Sequence, residues 1–273
     1  MKQVNFFKNK SNILRYELFK KMSEMQQGHP GSIFSIIDFL TVLFYGNFIN
    51  YSKKKKKFTD KIILSKGHAT SALYPILRDF EVISKKDWQN WGSLKKSKLR
   101  VFGNNSIPGI DVTSGSLGHG LGIGAGFAMT YKKDKLKNNV YVIISEGELY
   151  EGSTWETLLF IKNYNLTNVK IIIDINNLII LGKTDDCMKL NPIIKKIKGF
   201  GFKTMEINGH DYKSLGSGIK KLKNSKISCL LLNTIKGKGL SIMENKPDWH
   251  YWNKITTKES ILYLEELRGK CKI

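Results

Sequence analysis

Residues 138–178 read NNVYVIISEGELYEGSTWETLLFIKNYNLTNVKIIIDINNL and contain two apolar runs, Val140–Ile144 and Val169–Ile175. Each run is short and continuous, which is typical of a strand buried on both faces of a sheet. Polar side chains follow each run, with Glu146 after the first and Asn176 after the second. Because ligands of parallel sheets bind outside the carboxyl ends of the strands, both ends belong to one predicted site.

Strands and helices alternate along the rest of the chain. We predict strands at residues 61–65, 140–145, 169–175, 202–207 and 229–234. We predict helices at residues 12–26, 33–46, 68–80, 117–133, 152–164, 188–198, 211–222 and 257–268. Residues 84–107, rich in Lys and Trp, are interpreted as a long surface excursion. The pattern predicts an α/β fold with a parallel sheet flanked by helices on both faces. No internal repeat or low-complexity linker interrupts it, so we expect a single domain over residues 1–273.

The chain of 273 residues is 41% hydrophobic and carries a net charge of +22. Such a charge could attract nucleic acid, anionic lipid or phosphorylated substrates. Lysine is nevertheless scattered over the whole chain, with one run at Lys53–Lys57, and no basic motif interleaved with aromatic residues is present. We therefore interpret the charge as solvated surface and expect neither a nucleic-acid partner nor a membrane partner.

The three cysteines, Cys187, Cys229 and Cys271, are scattered and form no CxxC pair. This usage favours a reducing, cytoplasmic compartment. The basic N-terminal segment lacks an apolar core and a small-residue cleavage site, and no apolar run approaches transmembrane length. We expect a soluble intracellular protein.

The two strand ends have the chemistry of a metal site. The carboxylate of Glu146 and the amide oxygen of Asn176 are hard ligands of the kind that Mg²⁺ or Ca²⁺ prefers. Gly147 allows the backbone to approach a phosphate, and a helix beginning near Gly152 adds a positive dipole end. A metal beside a helix N-terminus suggests a diphosphate ligand, although acidic strand ends also occur as ordinary helix caps.

Several segments together resemble the transketolase family. The pair SEG and IDINN is similar to the metal-binding fingerprint of thiamine diphosphate enzymes, Gly-Asp-Gly followed by Asn. Further matches occur in family order: GHPGS (28–32), LSKGHATSALY (64–74), PGIDVTSGSLGHGLGIGAG (108–126), GELYEGSTWE (147–156), NGHD (208–211) and TIKGKGLSIMENKPDWH (234–250). They span nearly the whole chain.

The resemblance covers only the diphosphate-binding, N-terminal part of full transketolases. It implies the N-terminal subunit of a split transketolase, an enzyme that transfers a two-carbon ketol unit from a ketose phosphate to an aldose. The pyrimidine-binding and C-terminal domains are expected on a partner chain, which would supply the catalytic glutamate. The implied assembly is a heterotetramer, and this chain alone is expected to be inactive.

The resemblance also implies roles for individual residues. The metal ligands would be Glu146, Asn176 and the backbone carbonyl of Leu178, with Mg²⁺, Ca²⁺ or Mn²⁺ as the ion. The cofactor-binding residues would be His68, Gly115, Leu117, Gly147, Asp174 and His250. The catalytic residues would be His29 facing the substrate, His68 at the diphosphate, and Glu151 pairing with the catalytic glutamate of the partner. His119, where the family has Gln, would be either an interface residue or a support behind the site residues, and His210 would stabilise a turn.

Several positions depart from the family pattern, and three of them bear on the site. Glu146 stands where the family has Asp, and Ser145 where it has Gly. Asn104 stands near a position where the family has a substrate-facing histidine. These changes leave two alternatives open: a specialised ketol or acyl transferase of an unusual sugar pathway, and a catalytically inert scaffold.

Overall fold

The computed structural model describes residues 2–224 and 228–272. The described helices are α1 (Lys2–Met25), α2 (Pro30–Tyr45), α3 (Tyr74–Asp79), α4 (Lys85–Gln89), α5 (Gly120–Lys133), α6 (Gly152–Asn163), α7 (Thr184–Cys187), α8 (Ile193–Gly199), α9 (Tyr212–Asn224) and α10 (Thr257–Gly269). Short 3₁₀ helices span Gly67–Leu73, Glu146–Tyr150 and Pro247–His250. The strands are β1 (Tyr51–Ser52), β2 (Lys57–Phe58), β3 (Lys61–Leu64), β4 (Val140–Ser145), β5 (Val169–Ile175), β6 (Leu178–Ile179), β7 (Gly182–Lys183), β8 (Lys203–Asn208) and β9 (Ser228–Asn233).

Five of these strands form one parallel sheet in the order β3–β4–β5–β9–β8. Two antiparallel hairpins, β1–β2 and β6–β7, lie outside it. The predicted α/β class and parallel sheet are confirmed, and the five predicted strands match the five strands of the sheet to within about two residues, the ordinary uncertainty of element ends.

Successive side chains of the sheet strands enter two separate cores, one on each face, because side chains alternate along a strand. Tyr141 and Ile143 pack with α1, α2 and α9, whereas Val142 and Ile144 pack with α5, α6 and α8. Strands β4 and β5 are therefore apolar at nearly every position, which is why their sequences show no alternation. In the described part of the chain no helix is both long and apolar enough to cross a membrane.

The interpretation of residues 84–107 as a surface excursion was only partly right, since half of the segment is exposed but its large apolar side chains are mostly buried. Trp88, Trp91, Leu99 and Ile107 are all buried and belong to the core on the α1 face. Trp88 and Trp91 lie three residues apart around the end of α4, with ring centroids 5.6 Å apart. The lysines of this segment point outward, while its tryptophans are buried and anchor it to the core. A lysine-rich composition therefore does not mean that the whole segment is exposed.

Two predicted helices are interrupted. The predicted helix 68–80 is a 3₁₀ segment, Gly67–Leu73, followed by α3. Of the predicted helix 188–198 only the second half is helical, as α8, with Pro192 as its N-cap after a cis Asn191–Pro192 bond. Proline cannot continue a helix from the preceding turn, since its ring blocks the backbone of the residue before it.

A buried network around Asp38 ties α1 and α2 to the loops after β8 and β9. Arg15 donates two hydrogen bonds to the Asp38 carboxylate, at 2.9 and 2.8 Å. His210 Nδ1 lies 2.7 Å from Asp38 and its Nε2 accepts a bond from the Ile235 N–H at 2.8 Å. The Tyr212 hydroxyl also donates to Asp38 at 2.7 Å. Burial acts to raise the pKa of Asp38, but the Arg15 charge and the His210 bond outweigh it and lower the pKa.

We predict that Asp38→Ala lowers the free energy of unfolding by about 3–5 kcal/mol, because the guanidinium of Arg15 would remain buried without its counter-ion. Urea unfolding at pH 7 measures the change. Asp186→Ala, which removes an exposed carboxylate, is the matched control. Equal effects of the two substitutions would contradict the assigned role of the network.

Candidate active site

The carboxyl ends of β4 and β5 lie level with each other, since Ser145 pairs with Asp174 in the parallel register. Glu146 and Asn176 therefore emerge side by side, as the sequence predicted. Glu146 is buried, and its two carboxylate oxygens accept bonds from the Asn177 N–H and the Thr184 hydroxyl, each at 2.8 Å. The Asn176 side-chain oxygen accepts a bond from the Leu178 N–H at 3.2 Å.

These oxygens fit a hard divalent cation. The implied set has one carboxylate, one amide oxygen and one backbone carbonyl, and the carboxylate and amide oxygens keep a lone pair beyond the bonds they already accept. Burial raises the pKa of Glu146, and the nearby charges of Asp174 and Asp185 raise it further. A cation here would relieve that negative charge. Among the described residues, no three His, Cys, Asp or Glu side chains are grouped to hold a metal, so an ion here would depend on amide and carbonyl oxygens.

Three histidines meet on the other side of the same cavity. The ring centroids of His29 and His68 are 5.4 Å apart, those of His29 and His250 5.7 Å, and those of His68 and His250 5.2 Å. His29 stands at the N-terminus of α2, and its buried Nδ1 has no hydrogen-bond partner. Burial and the Lys236 charge lower the pKa of His29 to about 4, and that of His250 falls to about 3 for the same reasons. All of them are neutral at pH 7, since burial and Lys66 also lower the pKa of His68.

Two buried lysines complete this side of the cavity, and sequence reasoning missed both. Lys66 Nζ lies 2.5 Å from the Asp174 carboxylate and also donates to the Ser32 carbonyl at 2.9 Å. Lys236 Nζ lies 3.1 Å from His250 Nδ1. Burial and the neighbouring Lys66 charge lower the pKa of Lys236 to about 8. A buried cation without a carboxylate beside it is costly, which points to an anionic ligand.

The cavity enclosed by these groups has a volume of about 270 Å³. All of the residues implied for cofactor and metal binding line it: His68, Gly115, Leu117, Glu146, Gly147, Asp174, Asn176, Leu178 and His250. His29 lines it as well. The structure thus brings these side chains together, while their individual roles stay predictions.

Glycines allow the loops around the cavity to meet. A Cβ on Gly67 would lie 2.4 Å from the Ser114 carbonyl carbon, so the loop after β3 contacts the loop before α5 directly. Gly118 has φ +81°, a conformation that favours glycine, and its N–H donates to the buried Glu148 carboxylate at 3.1 Å. Glu148 also accepts bonds from the Ser145 N–H and the Ser65 hydroxyl. This carboxylate joins three loops, and sequence reasoning missed it too.

Two sequence interpretations change here. Gly152, expected to aim a helix dipole at the site, lies outside the cavity, because the 3₁₀ helix Glu146–Tyr150 separates α6 from β4. The alternative interpretation of an acidic strand end, an ordinary helix cap, also applies here. Ser145 and Glu148 form a capping box for that 3₁₀ helix. Glu146 is not part of the box and remains in the cavity.

Other named residues lie at or beyond the rim. Glu151 is exposed outside the cavity at the N-terminus of α6. Asn104 accepts bonds from the Ser106 N–H and hydroxyl in its own turn.

Phe102 and Tyr251 stand at the mouth of the cavity, with ring centroids 5.3 and 4.9 Å from that of His29. His119 is exposed, whereas the predicted turn residue His210 joins the Asp38 network.

The structure is thus an α/β domain in which buried lysines, histidines and hard oxygen ligands line one cavity beyond the carboxyl ends of a parallel sheet, as in a cofactor-binding domain. The sequence model "Transketolase, thiamine diphosphate binding domain" matches residues 8–253. The chain therefore belongs to the transketolase family, and the predicted family, fold and cofactor class are confirmed.

Similar proteins agree in fold and extent. The chain is 35% identical to one subunit of the apulose-4-phosphate transketolase of Actinobacillus succinogenes, over 89% of this chain and 88% of that protein. It is 32% identical to a 6-deoxy-6-sulfo-D-fructose transketolase subunit of Clostridium sp., over 87% of this chain and 88% of that protein. The crystal structure of Campylobacter jejuni transketolase superposes with a TM-score of 0.87 and 26% identity, over 97% of this chain and 43% of that chain. The chain thus matches two proteins named as transketolase subunits over most of their length and spans less than half of the Campylobacter jejuni transketolase chain.

The low pKa of His29 predicts a pH-dependent stability. Its pKa falls from 6.5 to about 4 on folding, so between these values the unfolded chain binds more protons. This contribution to the free energy of unfolding is complete above pH 6.5 and is lost as the pH falls towards 4. At pH 5 the loss from His29 is about 2 kcal/mol relative to pH 7.

Urea unfolding at pH 7 and pH 5 tests this prediction. His29→Gln is expected to reduce the difference between the two pH values by about 2 kcal/mol. His119→Gln, which removes an exposed histidine, serves as the control. An unchanged pH difference in His29→Gln would show that His29 is not held neutral by burial.

Proposed function

We propose that this chain is the cofactor-binding subunit of a two-subunit transketolase-like enzyme that moves a two-carbon ketol unit from a ketose phosphate to an aldose. One observation carries the proposal: the buried Lys236, which has a histidine and not a carboxylate as its bonded neighbour, lines the same cavity as the oxygen ligands Glu146 and Asn176. A diphosphate with a divalent cation satisfies both kinds of group at once, since the cation binds the oxygens and the phosphates bind the lysine.

Thiamine diphosphate, when bound, supplies the carbanion chemistry that breaks and forms the carbon–carbon bond. We assign Glu146, Asn176 and the Leu178 carbonyl to a divalent cation. Lys236, His68 and His250 would hold the diphosphate, with Gly147 giving its backbone close access. Gly115 and Leu117 would contact the pyrimidine ring, and the buried Asp174 would lie beside the thiazolium.

His29 is the proposed acid–base group on the substrate side. It is neutral at pH 7, and one ring nitrogen is buried without a partner. A neutral imidazole can both accept and donate a proton, which a reaction passing through developing alkoxides requires. His68, whose ring lies 5.4 Å away, would pass on the same proton.

The mouth of the cavity favours a specialised substrate. Phe102 and Tyr251 place their rings beside His29, and Asn104 is held in its own turn. Aromatic rings pack against C–H groups more readily than against hydroxyls. The relatives named for apulose-4-phosphate and 6-deoxy-6-sulfo-D-fructose act on unusual ketoses. We therefore propose a branched or deoxygenated ketose as donor in place of an ordinary one.

The proposed partner is a separately encoded C-terminal transketolase subunit, two copies of which would join two copies of this chain. Supporting this, apolar side chains are exposed on α5, on α6 and at the tip of the β6–β7 hairpin: Ile123, Leu159, Phe160, Ile180 and Leu181. Glu151 is exposed at the start of α6, where it could pair with a glutamate of the partner. The three free cysteines support the proposed cytoplasmic location.

We predict that Glu146→Gln weakens metal-dependent binding of thiamine diphosphate. Loss of an outer-shell group around a metal typically costs about 10- to 100-fold in affinity, so loss of a carboxylate ligand costs at least as much. Calorimetry with Mg²⁺ and with Ca²⁺ measures it. Glu146→Asp keeps the charge on a side chain one methylene shorter, and we expect it to retain metal-dependent binding with a shift towards Mg²⁺.

Binding by Glu146→Gln that depends on metal as strongly as in the native chain would contradict the assignment of Glu146. The absence of thiamine diphosphate binding by the native chain, with and without its partner subunit, would favour the inert-scaffold alternative. Thermal unfolding of each variant separates lost binding from lost folding.

We predict that ketol transfer needs both subunits and that Glu151→Gln lowers kcat of the mixture about 10- to 100-fold, because it disturbs the acid–base pair across the interface. Donors to be tested are xylulose 5-phosphate, fructose 6-phosphate, apulose 4-phosphate and 6-deoxy-6-sulfofructose. Binding of thiamine diphosphate by the isolated chain should change less than twofold. Glu156→Gln, an exposed position on the same helix, is the control. Equal kcat in both variants would remove Glu151 from the proposed interface.

A further inference from the structure

One side chain outside the cavity binds the loop that carries Lys236. The Nε2 atom of His210 accepts a hydrogen bond from the Ile235 N–H at 2.8 Å. Ile235 directly precedes Lys236, whose side chain lines the candidate active site, whereas His210 does not line that cavity. The turn after β8 is therefore joined by one bond to the residue before the buried lysine.

The bond from Ile235 differs in kind from the bonds on either side of it. The N–H groups of Thr234 and Gly237 donate to backbone carbonyls, at 2.8 and 2.9 Å. The Ile235 N–H donates to a side chain instead. A backbone carbonyl is present whatever the residue, but a side-chain acceptor exists only if the sequence supplies it. The residue at position 210 therefore decides whether this part of the loop is held.

The loop around Lys236 needs such a restraint. Lys236 is buried, and burial together with the Lys66 charge lowers its pKa to about 8, so its ammonium group would gain hydration by moving outward. Gly237 and Gly239, which follow it, have φ values of +74° and +104°. Glycine changes its backbone conformation at little steric cost. A firm bond at Ile235 opposes this movement on the other side of the lysine.

His210 is itself held by the core. Its Nδ1 lies 2.7 Å from Asp38, whose carboxylate also accepts bonds from Arg15 and Tyr212. The His210 side chain is only 12% exposed. Because Nε2 accepts a bond from a backbone N–H, the proton of the neutral imidazole is on Nδ1 and is donated to Asp38. The Asp38 carboxylate thus directs the acceptor nitrogen of the ring towards Ile235.

We propose that His210 is a positioning residue of the candidate active site, which keeps the Lys236 ammonium group at the diphosphate by holding the Ile235 N–H. This role rests on the proposed function, in which Lys236 binds the diphosphate. His210 itself touches neither cofactor nor substrate. Asp38 orients the imidazole, and the imidazole fixes the backbone next to the lysine. The buried network behind α2 therefore reaches the cavity through one hydrogen bond.

Two substitutions at position 210 separate the bond to Ile235 from the bond to Asp38. Glutamine places its amide oxygen as many bonds from Cβ as Nε2 of histidine, so His210→Gln can still accept the Ile235 N–H. Asparagine places its amide as many bonds from Cβ as Nδ1, so His210→Asn can still donate to Asp38 but does not reach Ile235. Tyr212→Phe removes a bond to Asp38 and none to the loop, and it is the control for a loosened network.

An NMR titration of the lysine side chains in the chain without cofactor measures the position of Lys236, with Lys236→Met to assign its signal. We expect His210→Asn to raise the pKa of Lys236 from about 8 towards 10.5, because the released ammonium group reaches water. His210→Gln and Tyr212→Phe should leave this pKa near 8.

Calorimetry measures the effect on the cofactor. Thiamine diphosphate is titrated with Mg²⁺ into the chain mixed with its partner subunit. His210→Asn is expected to weaken binding about tenfold, the loss typical of one hydrogen bond whose donor is left without a partner. His210→Gln and Tyr212→Phe should bind within twofold of the native chain. Thermal unfolding of each variant shows that it is folded.

An unchanged pKa of Lys236 in His210→Asn would overturn the proposal. Equal effects of His210→Asn and His210→Gln would overturn it too, as would a loss in Tyr212→Phe as large as that in His210→Asn. Absence of thiamine diphosphate binding by the native chain with its partner would contradict the proposed function instead. The Lys236 titration, which needs no cofactor, would still decide whether His210 holds the lysine.

Discussion

The buried ion pair between Lys66 and Asp174 fixes the centre of this domain. Asp174 has no exposed surface, and it receives bonds from Lys66 after β3, from Ser35 on α2 and from Thr234 after β9. Burial acts to raise the pKa of Asp174, but the Lys66 charge and these bonds outweigh it and keep the pKa low. Because neither charge could stay buried alone, the ends of three strands and α2 are held in one arrangement.

That arrangement decides the electrostatics of the cavity. Lys66 is neutralised by Asp174, but its charge still acts on His68 and Lys236, whose pKa values burial has already lowered. Lys236 is left with a histidine as its neighbour instead of a carboxylate. The cavity is thus cationic on this side and anionic at Glu146. A ligand that carries both a diphosphate and a cation matches this division, whereas a neutral ligand would leave both sides unpaired.

Much of this geometry follows from the residue order, and some of it does not. The apolar runs of β4 and β5 predicted parallel strands, and parallel strands bring Glu146 and Asn176 to one edge. Lys66 and Lys236 were missed because the chain has 45 Lys and Arg residues, most of which are solvated. Composition does not distinguish the few buried lysines from the others. A local signal did exist, since both lysines lie inside the family-like segments LSKGHATSALY and TIKGKGLSIMENKPDWH, next to glycines. The burial of Trp88 and Trp91 was missed for a related reason. The segment was interpreted from its many lysines, and the three-residue spacing of its two tryptophans, which indicates one buried face, was not used.

The glutamate at position 146 is compatible with a working metal site. A longer side chain has more rotamers to restrict, and an unrestrained carboxylate would be a poor ligand for an ion that demands fixed geometry. Here Thr184 at the start of α7 and the Asn177 N–H bind one carboxylate oxygen each. These two bonds restrict the rotamers of the longer side chain, so the extra methylene does not leave the carboxylate without orientation.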